Sequence, residues 1–80
     1  FKVTAFVALN AENLRHDMAS GQGEYLTSVS RLLNVPANRQ AEFFTEIQAR
    51  YQAFAAMDFT ATQQVVAALR DVSAPLVSAQ

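Results

Sequence analysis

The chain has 80 residues, of which 51% are hydrophobic and 16% are charged, and its formal net charge at pH 7 is −1. This length predicts a single domain over residues 1–80, and so short a chain buries only about 60% of the surface that its unfolded form exposes. Cysteine is absent, which excludes disulfide bonds and cysteine metal sites within this sequence. The apolar excess indicates either an efficient core or an apolar surface shared with another molecule.

The six basic residues are spread along the whole chain, so neither a nucleic-acid footprint nor a patch for anionic membranes is predicted. No apolar stretch approaches the roughly 20 residues that a membrane span requires. Because the chain opens on Phe1, we expect a processed or truncated product. Lys2 followed by Val3–Leu9 has weak signal-peptide character, but the segment runs directly into a helical pattern and is interpreted as folded structure.

The first helix is predicted over about Val3 to Ala19, because apolar residues recur on one face at about 100° per residue. These residues are Val3, Phe6, Val7, Leu14 and Met18. Gly21 suits the left-handed position that follows a helix C-terminus, so a turn is predicted there. The second helix is predicted over about Glu24 to Leu33, with a carboxylate in its first turn that complements the helix dipole.

The third helix is predicted from Pro36, which suits a helix opening, to about Met57. Its apolar stripe is the clearest in the chain and comprises Phe43, Phe44, Ile47, Tyr51 and Phe54. Aromatic residues at this spacing are typical of a core, and a hydrophobic ligand cavity is the alternative. Phe43 and Phe44 point about 100° apart, so this helix is expected to face two neighbours. Glu46 and Arg50 are spaced for an ion pair on its outer side.

The fourth helix is predicted to begin near Asp58 to Thr60, where Thr60 and Gln63 have the spacing of a capping box. Its inward residues are Val65, Ala68, Leu69 and Val72, and Pro75 is expected to end or kink it. Strand patterns are nearly absent. The sequence therefore predicts an all-α fold, a small bundle of about four helices formed by one chain or completed by a homodimer.

Polar residues interrupt the inward face of the first helix at Asn10, Asn13 and Asp17. A buried polar group without a partner costs about 1–3 kcal/mol, so these side chains need partners. The structural interpretation is that they accept hydrogen bonds from backbone N–H groups of the glycine turn and of the next helix's first turn. The alternative is a small-ligand site formed by Asn10, Asn13, Asp17 and Tyr25. An anion site at Gly21–Glu24 is disfavoured, because the Glu24 carboxylate repels anions.

No catalytic or metal site is predicted. Glu12 and His16 lie one helical turn apart, but a catalytic zinc site typically takes three protein ligands and there is no second histidine. The serines have no recognisable nucleophile motif around them. We therefore expect a protein that is not an enzyme and uses no cofactor.

A helix-turn-helix DNA-binding motif is the remaining alternative for Val29–Pro36 and the helix that follows. Asn38, Arg39 and Gln40 would begin its recognition helix. The same helix exposes Glu42 and Glu46, and the domain is slightly acidic, so DNA binding is disfavoured.

The segment Asn10–Leu26, with Leu32–Pro36 and the pair Phe43 and Phe44, resembles a domain-of-unknown-function family of small proteobacterial proteins. The shared pattern is Asn-x-x-Asn-Leu-x-x-Asp-Met-Ala-x-Gly-Gln-Gly-Glu-Tyr-Leu, then Leu-Leu-x-Val-Pro and Phe-Phe, and Asn13–Leu26 is its most specific part. The resemblance implies an exported, periplasmic protein with a cleaved signal peptide and a Gly-rich, cysteine-containing region upstream. It supplies no catalytic or binding residue. The expected function is non-catalytic binding or association in the bacterial envelope, with a second copy or another envelope protein as partner.

Overall fold

A computed structural model describes residues 2–77, and these residues form six α-helices and one 3-10 turn without any strand. The helices are α1 (Lys2–Leu9), α2 (Ala11–Ser20), α3 (Glu24–Leu32), α4 (Gln40–Ala49), α5 (Tyr51–Ala55) and α6 (Thr62–Val77), and the 3-10 turn is Ala37–Arg39. The all-α prediction is confirmed. There are six helices instead of about four, because two of the predicted helices are each divided.

The predicted first helix is divided at Asn10, which separates α1 from α2. The backbone of Asn10 has φ −126° and ψ 27°, outside helical values. Its backbone nitrogen and its side-chain Nδ2 both donate to the carbonyl oxygen of Phe6, each at 3.0 Å. Asparagine side chains that bond to nearby backbone groups compete with the regular helical pattern. The local bond to Phe6 therefore accompanies the break.

The predicted third helix is divided at Arg50, between α4 and α5. The Arg50 N–H group donates to the carbonyl oxygens of Glu46 at 3.2 Å and Ile47 at 3.1 Å, a shared bond common at helix ends. The predicted ion pair is confirmed, with Arg50 Nη2 3.7 Å from Glu46 Oε1. The apolar stripe continues across the break, so Ile47 and Phe54 are both buried.

The start of α6 differs from the predicted capping box. Oδ1 of Asp58 accepts hydrogen bonds from the Thr60 backbone nitrogen at 2.9 Å and from the Thr60 hydroxyl at 2.6 Å. The Thr60 hydroxyl is thus used within the preceding loop, and α6 begins only at Thr62. The prediction of a box between Thr60 and Gln63 is therefore wrong. Pro75 lies inside α6, which continues to Val77.

The core lies where α6 packs against α1 and α4, and where α2 packs against α3, α4 and α5. The apolar stripes predicted from the sequence supply it, since Leu14, Met18, Phe43 and Leu69 are fully buried. Phe44 and Tyr51 are half-buried and pack against this core. Among residues 2–77, no helix combines the length and the apolar character needed to cross a bilayer.

Candidate functional site

The corner between α2 and α3 depends on the carboxylate of Asp17. Its Oδ2 atom accepts hydrogen bonds from the backbone nitrogens of Tyr25 at 2.8 Å and Leu26 at 3.2 Å. These N–H groups belong to the first turn of α3, where no helical acceptor exists, and a negative charge there complements the helix dipole. The structural interpretation of the polar face is thereby confirmed for Asp17, which is half-buried.

The two glycines of this corner have different physical roles. Gly21 has φ 77° and follows α2 in the left-handed conformation, and its N–H group donates to the Asp17 carbonyl oxygen at 2.8 Å. The predicted position of Gly21 is confirmed. Gly23 has φ 141°, and a Cβ atom built there would overlap the carboxylate of Asp17. Glycine at residue 23 is therefore required both by the backbone angle and by the close approach of Asp17.

The same geometry argues against an anion site at Gly21–Glu24, which the sequence also disfavoured. Helix N-termini bind anions because their first N–H groups lack partners. At α3, two of those N–H groups already donate to Asp17. A carboxylate of the chain itself therefore occupies the position where an external anion would bind.

The other two residues of the predicted polar face are placed differently. Asn13 is exposed, so its assignment to the inward face is wrong. Its position at the edge of the predicted face, farther from the centre than Asn10 and Asp17, explains this outcome. Asn10 is half-buried, and its amide bonds locally to the Phe6 carbonyl. Ligand binding by Asn10, Asn13, Asp17 and Tyr25 stays a prediction.

An open depression of about 1010 Å³ lies beside the corner, and we call it the aromatic depression. Three half-buried aromatic side chains line it, Phe6 from α1, Tyr25 from α3 and Phe44 from α4. The rings of Phe6 and Tyr25 have centroids 6.2 Å apart and an angle of 39° between their planes. The exposed residues His16 and Arg31 also line this depression.

Only two of the four residues of the predicted ligand site line the aromatic depression. Asp17 and Tyr25 line it, whereas Asn10 and Asn13 do not. Sequence reasoning missed Phe6 as a lining residue, and it gave Phe44 a role in a cavity only as the alternative to the core, because each belongs to an apolar stripe that also supplies the core. The signal available in the sequence was the divergence of Phe43 and Phe44, which is confirmed: Phe43 is fully buried and Phe44 is half-buried.

Asp17 also offers a polar atom to the depression. Its Oδ2 atom is used by α3, while Oδ1 makes no hydrogen bond to the described residues. In this part of the chain, no buried side-chain nitrogen or oxygen lacks a partner, so Oδ1 of the half-buried Asp17 is reached by solvent. The aromatic depression therefore combines three aromatic side chains with polar and charged ones, including a carboxylate oxygen able to accept a hydrogen bond.

Metal-ligand geometry is not found in the described part of the chain. Residues 2–77 contain no group of three or more histidine, aspartate or glutamate side chains arranged to hold a metal ion. The Glu12 carboxylate lies 3.6 Å from Nη1 of Arg15, on the exposed side of α2.

The candidate recognition helix uses its arginine within the fold. Arg39 donates to both carboxylate oxygens of Glu42, at 3.1 and 3.2 Å, and its Nη1 donates to the Leu76 carbonyl oxygen at 3.3 Å. The hydrogen bonds from Arg39 lower the pKa of Glu42 below its ordinary value. Arg39 thus joins the start of α4 to the last turn of α6, which leaves it less available to contact a phosphate.

Comparison with known proteins identifies a family for this chain. No curated protein and no solved structure matches the chain. A protein family of unknown function matches residues 2–75, which is most of the chain, and the expected membership of such a family is confirmed. The chain therefore belongs to the family described as protein of unknown function DUF3015.

Proposed function

We propose that this chain is a non-catalytic binding domain of the bacterial envelope that holds a protein partner in the aromatic depression. The observation that carries the proposal is the convergence of three half-buried aromatic side chains, Phe6, Tyr25 and Phe44, from three helices on one open surface. Aromatic residues are enriched at protein interfaces, where their large apolar area and limited side-chain freedom favour binding.

The shape of the depression favours a protein segment over an enclosed small molecule. Small-molecule sites usually bury about 70–90% of the surface of their ligand. The aromatic depression is open, and the backbone N–H groups of Tyr25 and Leu26 already donate to Asp17. A partner would therefore bury aromatic surface and bond to the Oδ1 atom of Asp17 without breaking the hydrogen bonds that hold α3.

Periplasmic localisation is part of the same proposal. It is supported by the resemblance of Asn13–Leu26 to a family of exported proteobacterial proteins. Cell fractionation after expression from the native gene tests it. We expect the protein in the periplasmic fraction, and recovery only from the cytoplasmic fraction would contradict the proposed location.

Site-specific photo-crosslinking in the native host tests binding at the depression. A photoreactive residue replaces Phe44, and a matched variant carries it at Tyr51, a half-buried aromatic residue that does not line the depression. We expect a discrete crosslinked protein from residue 44 that is absent from residue 51. Loss of that product on the additional change Arg31→Glu would support the depression as the contact surface. Equal crosslinking from residues 44 and 51, or none from residue 44, would contradict the proposal.

A further inference from the structure

The sulfur atoms of this chain belong to two methionines in very different surroundings. The sequence contains Met18 and Met57 and no cysteine. Met18, on α2, is fully buried. Met57 lies in the loop between α5 and α6, where it is half-buried and packs against the core. Met57 is therefore the sulfur-containing side chain that a dissolved reagent can reach while the protein stays folded.

Two surface hollows give solvent access to Met57. One hollow, of about 150 Å³, lies between α5 and α6, and Phe54 and Ala68 line it together with Met57. The other, of about 540 Å³, lies where the loop meets α2, and Ala11 and Arg15 line it together with Met57. No other residue lines both of these hollows. The Met57 side chain therefore forms part of the protein surface beside α6 and also beside α2.

We infer that Met57 is the site at which peroxides oxidise this protein, and that its sulfoxide weakens the packing of the loop between α5 and α6. In this reaction a lone pair of the Met57 sulfur attacks one oxygen atom of hydrogen peroxide, so that an S–O bond forms while the O–O bond breaks. The leaving hydroxide takes the proton from the new S–OH group, and the products are the sulfoxide and water. The sulfur loses two electrons and the peroxide gains them. Methionine sulfoxide reductases reverse this modification.

The sulfoxide changes the packing at residue 57 because it replaces an apolar thioether with a polar group. Phe54 and Phe59, which each line one of the two hollows, are buried. An S=O group turned towards this apolar surface loses hydrogen bonds to water, and one turned outward takes the side chain away from the core. Apolar packing is lost in both orientations. This modification does not depend on the proposed function, because Met57 does not line the aromatic depression.

Treatment of the folded protein with hydrogen peroxide, followed by peptide mass spectrometry and thermal denaturation, tests the inference. We expect Met57 to gain one oxygen atom at least about tenfold faster than Met18, because Met18 reacts only when the core opens. The protein oxidised at Met57 should unfold with a Tm lowered by about 4–8 °C, the shift that a modest loss of stability causes in a domain of this size. Met57→Leu keeps the apolar volume without the sulfur, so its Tm should not change on treatment. The matched variant Met18→Leu should respond like the original chain.

Three results would overturn the inference. Oxidation of Met18 at the same rate as Met57 would contradict the assignment of the site. An equal fall in the Tm of treated Met57→Leu would assign the destabilisation to another residue. Complete oxidation of Met57 with an unchanged Tm would contradict the loss of packing. Exchanges of methionine for leucine are well tolerated in cores, so both variants should fold, which circular dichroism verifies. The two oxidation rates in the original chain test the site without any variant.

Discussion

The Oδ2 atom of Asp17 lies 2.8 Å from the backbone nitrogen of Tyr25, so a carboxylate near the end of one helix completes the first turn of the next. This contact joins α2 to α3 across the glycine turn, and it fixes the direction in which α3 leaves the corner. The aromatic ring of Tyr25 is thereby placed beside Phe6, where the two rings form one wall of the aromatic depression.

Removal of the Asp17 carboxylate should destabilise the fold. Asp17→Ala leaves the N–H groups of Tyr25 and Leu26 without their acceptor, and we expect the free energy of unfolding to fall by about 1–2 kcal/mol. Asp17→Asn keeps one acceptor oxygen but loses the charge, so its effect should be smaller. Urea denaturation followed by circular dichroism measures both. Asn13→Ala, at an exposed position of the same helix, should change the free energy of unfolding by less than about 0.5 kcal/mol. Equal losses from Asp17→Ala and Asn13→Ala would contradict the proposed contact.

Addition of a single methyl group at residue 23 should be more damaging. In Gly23→Ala the alanine must adopt φ 141° and place its Cβ atom on the Asp17 carboxylate. We therefore expect the free energy of unfolding to fall by about 2–3 kcal/mol or more. Gln22→Ala, at the exposed neighbouring position, serves as the control and should be nearly neutral. The double variant Asp17→Ala/Gly23→Ala should lose less than the sum of the single variants, because the overlap is relieved while the backbone strain stays. Strict additivity would show that the two residues do not interact.

The adjacent residues Phe43 and Phe44 should respond differently to truncation. Phe43 is fully buried, so Phe43→Ala should lower the free energy of unfolding by about 3–5 kcal/mol. Phe44 is half-buried at the aromatic depression, and Phe44→Ala should lose less than half as much. Thermal and urea denaturation of the two variants give the comparison. A larger fall in the free energy of unfolding for Phe44→Ala than for Phe43→Ala would contradict the placement of Phe43 in the core and Phe44 at the aromatic depression.

Stability should decline in acid partly through Glu42 and Asp58. Hydrogen bonds from Arg39 lower the pKa of Glu42 below its ordinary 4.5, and those from the Thr60 hydroxyl and N–H group lower the pKa of Asp58 below its ordinary 3.8. Their contribution is therefore complete above the ordinary values and is lost as the pH falls through the lowered values.

The double variant Glu42→Gln/Asp58→Asn tests this dependence. We expect its free energy of unfolding to fall less steeply than that of the original chain as the pH decreases below 4.5. Because both carboxylates are exposed, the difference should be small, and urea midpoints at closely spaced pH values are needed. Gln52→Asn, a neutral change at an exposed position, controls for the added amides. Parallel pH profiles of the double variant and the original chain would exclude a role for the two carboxylates.

The local parts of this fold could be predicted because their causes are local. Helical spacing identified Phe43, Leu69 and most of the other core residues, although Val66 and Leu76 are also buried and were not predicted. The angular position of Asp17 together with the glycine turn indicated a carboxylate bonded to the next helix. The division at Arg50 had no such signal, since neither glycine nor proline lies there and the apolar stripe continues through it. Asn13 was misplaced because an edge position on a helix is decided by neighbouring helices.

Contacts between distant segments could not be predicted from one sequence. The hydrogen bond from Arg39 to the Leu76 carbonyl joins residues that are 37 positions apart. Likewise, the aromatic depression exists only because α1, α3 and α4 bring Phe6, Tyr25 and Phe44 together. Helical periodicity shows which side of each helix is apolar, but it does not show which parts of those apolar sides stay uncovered.

The fit between Gly23 and Asp17 also bears on how this chain can change over evolutionary time. With a carboxylate at residue 17, no side chain fits at residue 23 in the observed loop conformation. Homologous chains should therefore keep or lose aspartate and glycine at these two positions together. A lineage that replaces the glycine must also reshape the loop and cap its third helix by another route.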